Sequence, residues 1–319
     1  MPISAAGWLR ESVRRVRVGG LRGVGNSLYD VYLGAALSVT SKYPLGTNLF
    51  SREWDALVVL DACRVDALQT VAPEYDFLQE VGSVRSVGSH SYEWMVKTFT
   101  ERHGAEIGRT AYVSANPFTA REFFEDSVPP KDRTVPFGPR EYGTVPRDAI
   151  GYVDEIRRYG VDDEYGFILP SRVTDRAIRA GREERTDRLL VHYMQPHDPF
   201  LVDGAVEEHI YGRLRAGELS RSQAWEWYLD ALRMVLDEVA VLLDNLDADR
   251  VVITADHGEA FGEFGFYGHM PGFPHPAVRR VPWAETTATD TGERDVDEER
   301  TPDDSFSDLE EHLEDLGYR

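Results

Sequence analysis

The chain has 319 residues, 42% of them apolar, enough for a sizeable core in one large domain or two small ones. Its formal charge of −21 excludes nucleic acid as a favoured partner, because backbone phosphate is repelled. The single Cys63 excludes an intramolecular disulfide framework, and no apolar run reaches the roughly 18 residues a transmembrane helix requires.

Thirty-five basic residues less three lysines (Lys42, Lys97, Lys131) leave 32 arginines. Such an acidic, lysine-poor composition looks like that of proteins from salt-loving archaea. The N-terminus has no continuous apolar core of the signal-peptide kind, so cytoplasmic residence is the expectation.

Residues 1–50 form a basic N-terminal segment, with six basic residues against Glu11 and Asp30. Trp8, Leu9, Val13, Val16 and Leu21 alternate with Arg10, Arg14, Arg15, Arg17 and Arg22, which predicts a basic amphipathic helix. Two placements follow: packing against the acidic body of the protein, or peripheral contact with a membrane surface. Molar salt would screen the second heavily, because the Debye length falls to about 3 Å.

The main domain, 51–283, begins with Trp54 and the run Ala56-Leu57-Val58-Val59-Leu60, which reads as a buried strand ending in Asp61. A helix is expected from Arg64 to Thr70, and Cys63 lies at its start as buried packing. Gly82–Met95 reads as a polar, Gly-rich loop leading into a helix, with Ser89 and Ser91 near the junction. Serines there are ordinarily turn or cap residues. Ala111–Phe118 reads as a strand entering a loop. The stretch from Arg121 to Glu184 is polar and proline-punctuated, with a short helix over 173–179 capped by Ser171, and is expected to cover the site.

Leu189–Met194 is a third strand, followed by Pro196-His197-Asp198-Pro199, where flanking prolines hold His197 in a rigid loop. His192, inside the apolar run, reads as core. Trp225–Asp244 repeats apolar residues at helical spacing and predicts a long packing helix. Val251–Ile253 is a β-branched strand that ends at Asp256-His257, followed by the glycine-rich stretch to His269. An acid and an imidazole at the C-terminal end of a buried strand occupy the usual ligand crevice of an open α/β sheet. Together they suit a divalent metal. Arg279–Trp283 is expected to close the domain as an edge strand before Pro282. The acidic tail, 284–319, reads as solvated, with Leu309, Leu313, Leu316 and Tyr318 marking a short terminal helix.

The string TADHGEAFGE followed by YGH, within Val251–His269, resembles the metal-binding segment of the sulfatase and alkaline-phosphatase superfamily. The resemblance implies a doubly wound, mostly parallel α/β sheet with helices on both faces. It implies a divalent ion (Mn, Mg, Ca or Zn; one or two) held by Asp61, Asp256 and His257, with His269 as a further ligand. It places a nucleophile in the loop after the first strand, where Ser91 is the first choice and Ser89 the alternative. It gives His197 a catalytic or substrate-binding role, with His269 and Arg64 as further candidates for the anionic group. The C/S-x-P-S-R motif usual in sulfatases is absent, so sulfate specificity is not implied. The expected activity is hydrolysis of phosphate or sulfate esters through a covalent serine intermediate, on a small-molecule, lipid or glycan substrate. The alternatives are a phospho-group transferase acting on lipid or sugar acceptors, and an inactive acidic scaffold of the same fold.

Overall fold

The computed structural model describes residues 3–120, 124, 128–130, 133–183 and 186–296. The terminal helix expected around Leu309 to Tyr318 lies outside the described residues. In chain order the strands are β1 (Ala56–Leu60), β2 (Gly82–Arg85), β3 (Thr110–Ser114), β4 (Tyr152–Glu155), β5 (Arg188–Tyr193), β6 (Phe200–Val202), β7 (Ala205–Glu207), β8 (Ala248–Thr254), β9 (Ala260–Phe261), β10 (Tyr267–Gly268) and β11 (Arg280–Ala288).

Among the described residues, seven of these form one sheet in the order β2-β11-β8-β1-β5-β3-β4. From β8 through β4 the neighbours are parallel, whereas β11 runs antiparallel to both β8 and β2. This is the doubly wound, mostly parallel sheet that the resemblance implied, and the buried runs 56–60, 189–193 and 251–253 lie in its central strands. Alternation along β1 sends Val58 and Leu60 into one core and Leu57 and Val59 into the other. The first core is roofed by the helices Pro170–Arg182 and Arg221–Leu243, the second by the helix Ser91–Thr98 with Leu49, Phe50 and Trp54. Both faces of the sheet are therefore covered, which is why its central strands carry no polar alternation.

Several boundaries differ from expectation, each for a local reason. Gly82–Arg85 is a strand rather than loop, paired with the start of β11. The middle helix starts at Pro170 with Leu169 as its cap, so Ser171 lies inside the first turn. Proline suits that first position because it has no N–H to leave unpaired. Strand β11 is internal and runs to Ala288, beyond the expected end at Trp283. Its pairing with β8 starts at Trp283, so Pro282 pairs only with β2 and the missing N–H breaks no shared ladder. The described part of the middle region supplies β4 and a packing helix; Ile150 and Val173 enter the two cores.

The basic N-terminus forms two helices, Ala5–Gly19 and Leu21–Thr40, turned at Gly19-Gly20. They cross closely: a Cβ at Gly23 would lie 2.2 Å from the Arg15 carbonyl. Their inward face is polar, with Arg15 and Arg133 both paired to buried Asp30. Leu33 and Leu37 add a small apolar contact with Val135.

Candidate metal and nucleophile site

The central strands β1 and β8 are adjacent and parallel, so the acids that follow them, Asp61 and Asp256, meet above the sheet. The chain then turns through Ala62 at a φ of 62°, a left-handed conformation that costs a non-glycine residue free energy. Its neighbours hold it there. The Ala62 N–H donates to Asp256 Oδ1 at 3.2 Å, and the Ala62 carbonyl accepts from the Tyr228 hydroxyl at 2.7 Å. Tyr228 also accepts from the Arg64 N–H at 2.9 Å. One tyrosine of the long helix therefore clamps both sides of the turn.

His257 donates from Nδ1 to the Gly258 carbonyl at 3.0 Å, which leaves Nε2 with its lone pair facing inward. Nε2 lies 3.6 Å from Asp61 Oδ1 and 3.3 Å from Asp256 Oδ2. Ser91, the first residue of its helix, places Oγ 3.2 Å from Asp61 Oδ2 and 3.1 Å from His257 Nε2. Asn116, after β3, donates to Asp61 Oδ2 at 2.9 Å. Asp61, Asp256, His257 and Ser91 are all fully buried.

Two observations fit a cation here. Asp61 Oδ1 and Asp256 Oδ2 are buried oxygens without a hydrogen-bond partner among the described residues. Ligand atoms of Asp61, Asp256 and His257 also lie within 4.8 Å of one another. Burial and the Asp61 charge push the Asp256 carboxyl above the usual range. Burial alone would raise Asp61 too, but the imidazoles of His192, His197 and His257 outweigh it and hold that carboxyl low. Two dry carboxylates sharing one site are costly without a positive charge between them.

A second group sits beside the first. His269 Nδ1 lies 2.8 Å from Glu259 Oε2, and His197, Glu259 and His269 can bring ligand atoms within 4.8 Å of one another. His197 donates from Nδ1 to the Asp198 carbonyl at 2.5 Å. The rings of His257 and His269 are 4.3 Å apart, and those of His197 and His269 5.1 Å. His90, the cap of the Ser91 helix, completes a group of four imidazoles, 5.2 Å from His269. Burial and neighbouring imidazoles push His90 and His269 down. Burial also opposes charge on His197, yet Asp198, Asp61 and Glu259 raise it to about 9. Burial raises Glu259 to about 7 against the pull of His197 and His257.

The remaining candidates lie apart. Ser89 donates from Oγ to Glu93 Oε2 at 2.8 Å or the Met270 carbonyl at 2.9 Å, and accepts from the Phe273 N–H at 3.1 Å. Its hydroxyl ties the loop down through these bonds, none of which is to Asp61 or Asp256. The Arg64 guanidinium pairs with Asp66 at 2.7 Å and Glu263 at 2.8 Å and donates to the Glu259 carbonyl, so its charge is already neutralised. Cys63 is fully buried, and burial with the nearby acids pushes its thiol up, away from thiolate. The site also includes residues given no chemistry in the sequence: His90, Asn116 and Glu259. His192, read as core, is buried as expected, yet its Nε2 lies 3.7 Å from Asp61 Oδ2.

No family model and no curated protein matches the chain. Solved structures do. The C-terminal periplasmic domain of phosphoethanolamine transferase EptC from Campylobacter jejuni is 14% identical, over 72% of this chain and 77% of that one, with a TM-score of 0.43. The soluble domain of lipooligosaccharide phosphoethanolamine transferase A from Neisseria meningitidis is 15% identical, over 72% and 75%, with a TM-score of 0.42. A protein of the alkaline phosphatase superfamily from Vibrio parahaemolyticus is 12% identical, over 80% and 68%, again with a TM-score of 0.42.

Proposed function

We propose that this chain is a metal-dependent enzyme that moves a phosphoryl or sulfuryl group from an ester onto Ser91 and then to water. The observation that carries this reading is the position of Ser91 Oγ, 3.2 Å from Asp61 and 3.1 Å from His257, against a buried carboxylate pair with two unpartnered oxygens. A serine that served only as a helix cap would bond its own backbone, whereas here the preceding His90 caps the helix and leaves Ser91 to the site.

Asp61, Asp256 and His257 would hold the ion, and this oxygen-rich, thiolate-free set suits Mn²⁺, Mg²⁺, Ca²⁺ or Zn²⁺. When bound, the ion supplies a Lewis acid that lowers the pKa of the serine hydroxyl and offsets charge on the transferred group. The protein's own residues do the rest. Asn116 keeps Asp61 oriented, Tyr228 holds the Ala62 turn, and the Gly258 carbonyl fixes the imidazole tautomer of His257. His197, which Asp198, Asp61 and Glu259 hold above its usual range against burial, would face the ester's oxygens. In the first step Oγ forms the new bond, the ester's bridging bond breaks, and the leaving alcohol takes up a proton. Water repeats the displacement and returns the serine hydroxyl.

A panel of aryl phosphate monoesters, diesters and sulfates, run with each metal, tests the reading. Turnover that depends on metal and on Ser91 supports it; metal-free protein inert to every ester sinks it in favour of an inactive scaffold. A second reading, transfer to a lipid or sugar alcohol, is favoured by the exposed apolar surface of the N-terminal hairpin beside the loop that carries His269. Product analysis with alcohol acceptors present separates transfer from hydrolysis.

A further inference from the structure

We propose that the helical hairpin spanning residues 5–40 seats this protein on an anionic lipid surface. Toward its tip the hairpin inverts the ordinary arrangement of an amphipathic pair. There the buried side chains are Ser12, Ser27 and Asp30, with Arg15 paired to Asp30, while large apolar side chains point to solvent; buried Leu33 and Leu37 lie further from the tip. On the second helix Leu21, Val24, Leu28 and Tyr32 follow at steps of three and four, one stripe along one face. On the first, Leu9, Val13 and Val16 do the same. Exposure is greatest at the tip: Val18 is 86% and Leu21 90% exposed. Isolated exposed aliphatics are ordinary on soluble proteins; a continuous stripe ending in an apolar tip marks a contact surface.

Charge selects the partner. Arg17 and Arg22 flank the tip, and Arg10 and Arg14 lie on the same exposed helix. Both acids of the segment, Glu11 and Asp30, are taken up by Arg15. A cationic, apolar face on a protein of charge −21 is complementary to anionic headgroups above acyl chains. The arginine stems can lie along the apolar boundary with their guanidinium groups among the headgroups. The acidic body is repelled from the same surface, so the hairpin approaches first.

The hairpin is also tied to the site. The Tyr29 hydroxyl donates to the Pro271 carbonyl at 2.8 Å and the Tyr32 hydroxyl to the Gly272 carbonyl at 3.0 Å. That loop follows His269 directly, and its Met270 carbonyl accepts from Ser89. A surface bound by the hairpin therefore lies beside one wall of the four-imidazole group. Lipid binding stands on the hairpin alone and does not depend on the ester chemistry.

The test is flotation of the full chain with phosphatidylcholine vesicles that contain or lack phosphatidylglycerol, at low and molar KCl, with circular dichroism confirming the fold in each buffer. The expected result is flotation with anionic vesicles, lowered at least about tenfold by Val18→Asp with Leu21→Asp. Arg17→Gln with Arg22→Gln should weaken binding chiefly at low salt, where charges are least screened. Failure to float with anionic vesicles, or equal flotation of the Val18→Asp, Leu21→Asp chain, overturns the proposal. So does a dimer in sedimentation that the same two substitutions dissolve, because the tip would then belong to a second copy.

Discussion

Replacing Glu93 by Gln changes one charge in a dry cluster under the Ser91 helix, and its cost follows from what remains. Glu93 is 2% exposed; it pairs with Lys97 at 2.5 Å and Arg279 at 3.5 Å, and accepts from the N–H groups of Ser89 and Gly272 at 3.1 Å. Gln keeps the shape and can still accept from the backbone, but Lys97 becomes a buried cation with little beyond the Thr40 hydroxyl at 2.7 Å. Its least costly response is to fold without its proton. From an ordinary pKa of 10.5, at about 1.36 kcal/mol per unit, that costs about 4.8 kcal/mol at pH 7 and about 2 kcal/mol at pH 9. The upper figure agrees with the roughly 3–5 kcal/mol typical for breaking a buried pair. The sign is definite: the unfolded variant binds the proton that the folded variant releases, so its stability rises with pH relative to the parent. Urea midpoints of both proteins at the two pH values measure this, provided m is unchanged. A loss below about 1 kcal/mol at neutral pH, or one that does not shrink on the alkaline side, would refute the reasoning.

Asp256→Ala and His257→Ala should each abolish bound metal with the fold retained, since both residues lie at the strand end above the apolar core; full occupancy in both by metal analysis would sink that assignment. Ser91→Ala should lose at least a hundredfold in turnover, roughly 2.7 kcal/mol of barrier. Ser89→Ala should keep turnover and lose about 1–2 kcal/mol of stability, and Cys63→Ser should keep most activity; a dead Cys63→Ser with active serine variants reverses the nucleophile. In metal-stripped protein, Glu259, raised to about 7, contributes stability that is present below its ordinary value and lost as pH rises through about 7. Glu259→Gln should flatten that fall in thermal melts, and an unchanged profile would exclude the residue as its source. With 56 acidic residues against 35 basic, melting temperature should rise with KCl up to molar concentrations; a salt-independent midpoint would end the halophilic reading.

What the sequence made legible was whatever sits on one element. The runs before Asp61 and Asp256 are buried on both sides of the sheet and so are continuously apolar, which announces a parallel strand without any partner. Ser91 was reached only through the resemblance, because serines where a glycine-rich loop meets a helix are ordinarily caps. His90, Asn116 and Glu259 were not, because nothing local distinguishes a site residue from a cap. His90 does cap its helix, and Asn116 accepts from the Phe118 N–H at 2.9 Å as a turn residue would. Their second contacts, to other imidazoles and to Asp61, exist only once β5 is inserted between β1 and β3. Pro282 misled for the complementary reason: proline argues for an edge only if both sides of that residue are paired, and β8 ends one residue short of it.

The two halves of the site divide the proposed chemistry. Asp61, Asp256, His257 and Ser91 follow β1 and β8 or open the Ser91 helix and are fully buried, and in the proposed reaction they carry the attack on the ester. His90, His197 and His269 come from loops and a helix cap, and in the proposed transfer the acceptor passes them. Water needs only a small opening there, whereas an alcohol carried on a lipid needs a wall against which its chain can lie. The loop after His269 is held by Tyr29 and Tyr32 of the hairpin, whose outer face is apolar. Disrupting the hairpin tip should therefore leave turnover of a small aryl ester intact while lowering transfer to a vesicle-borne alcohol. Equal losses on both would mean that the hairpin serves only to hold the loop.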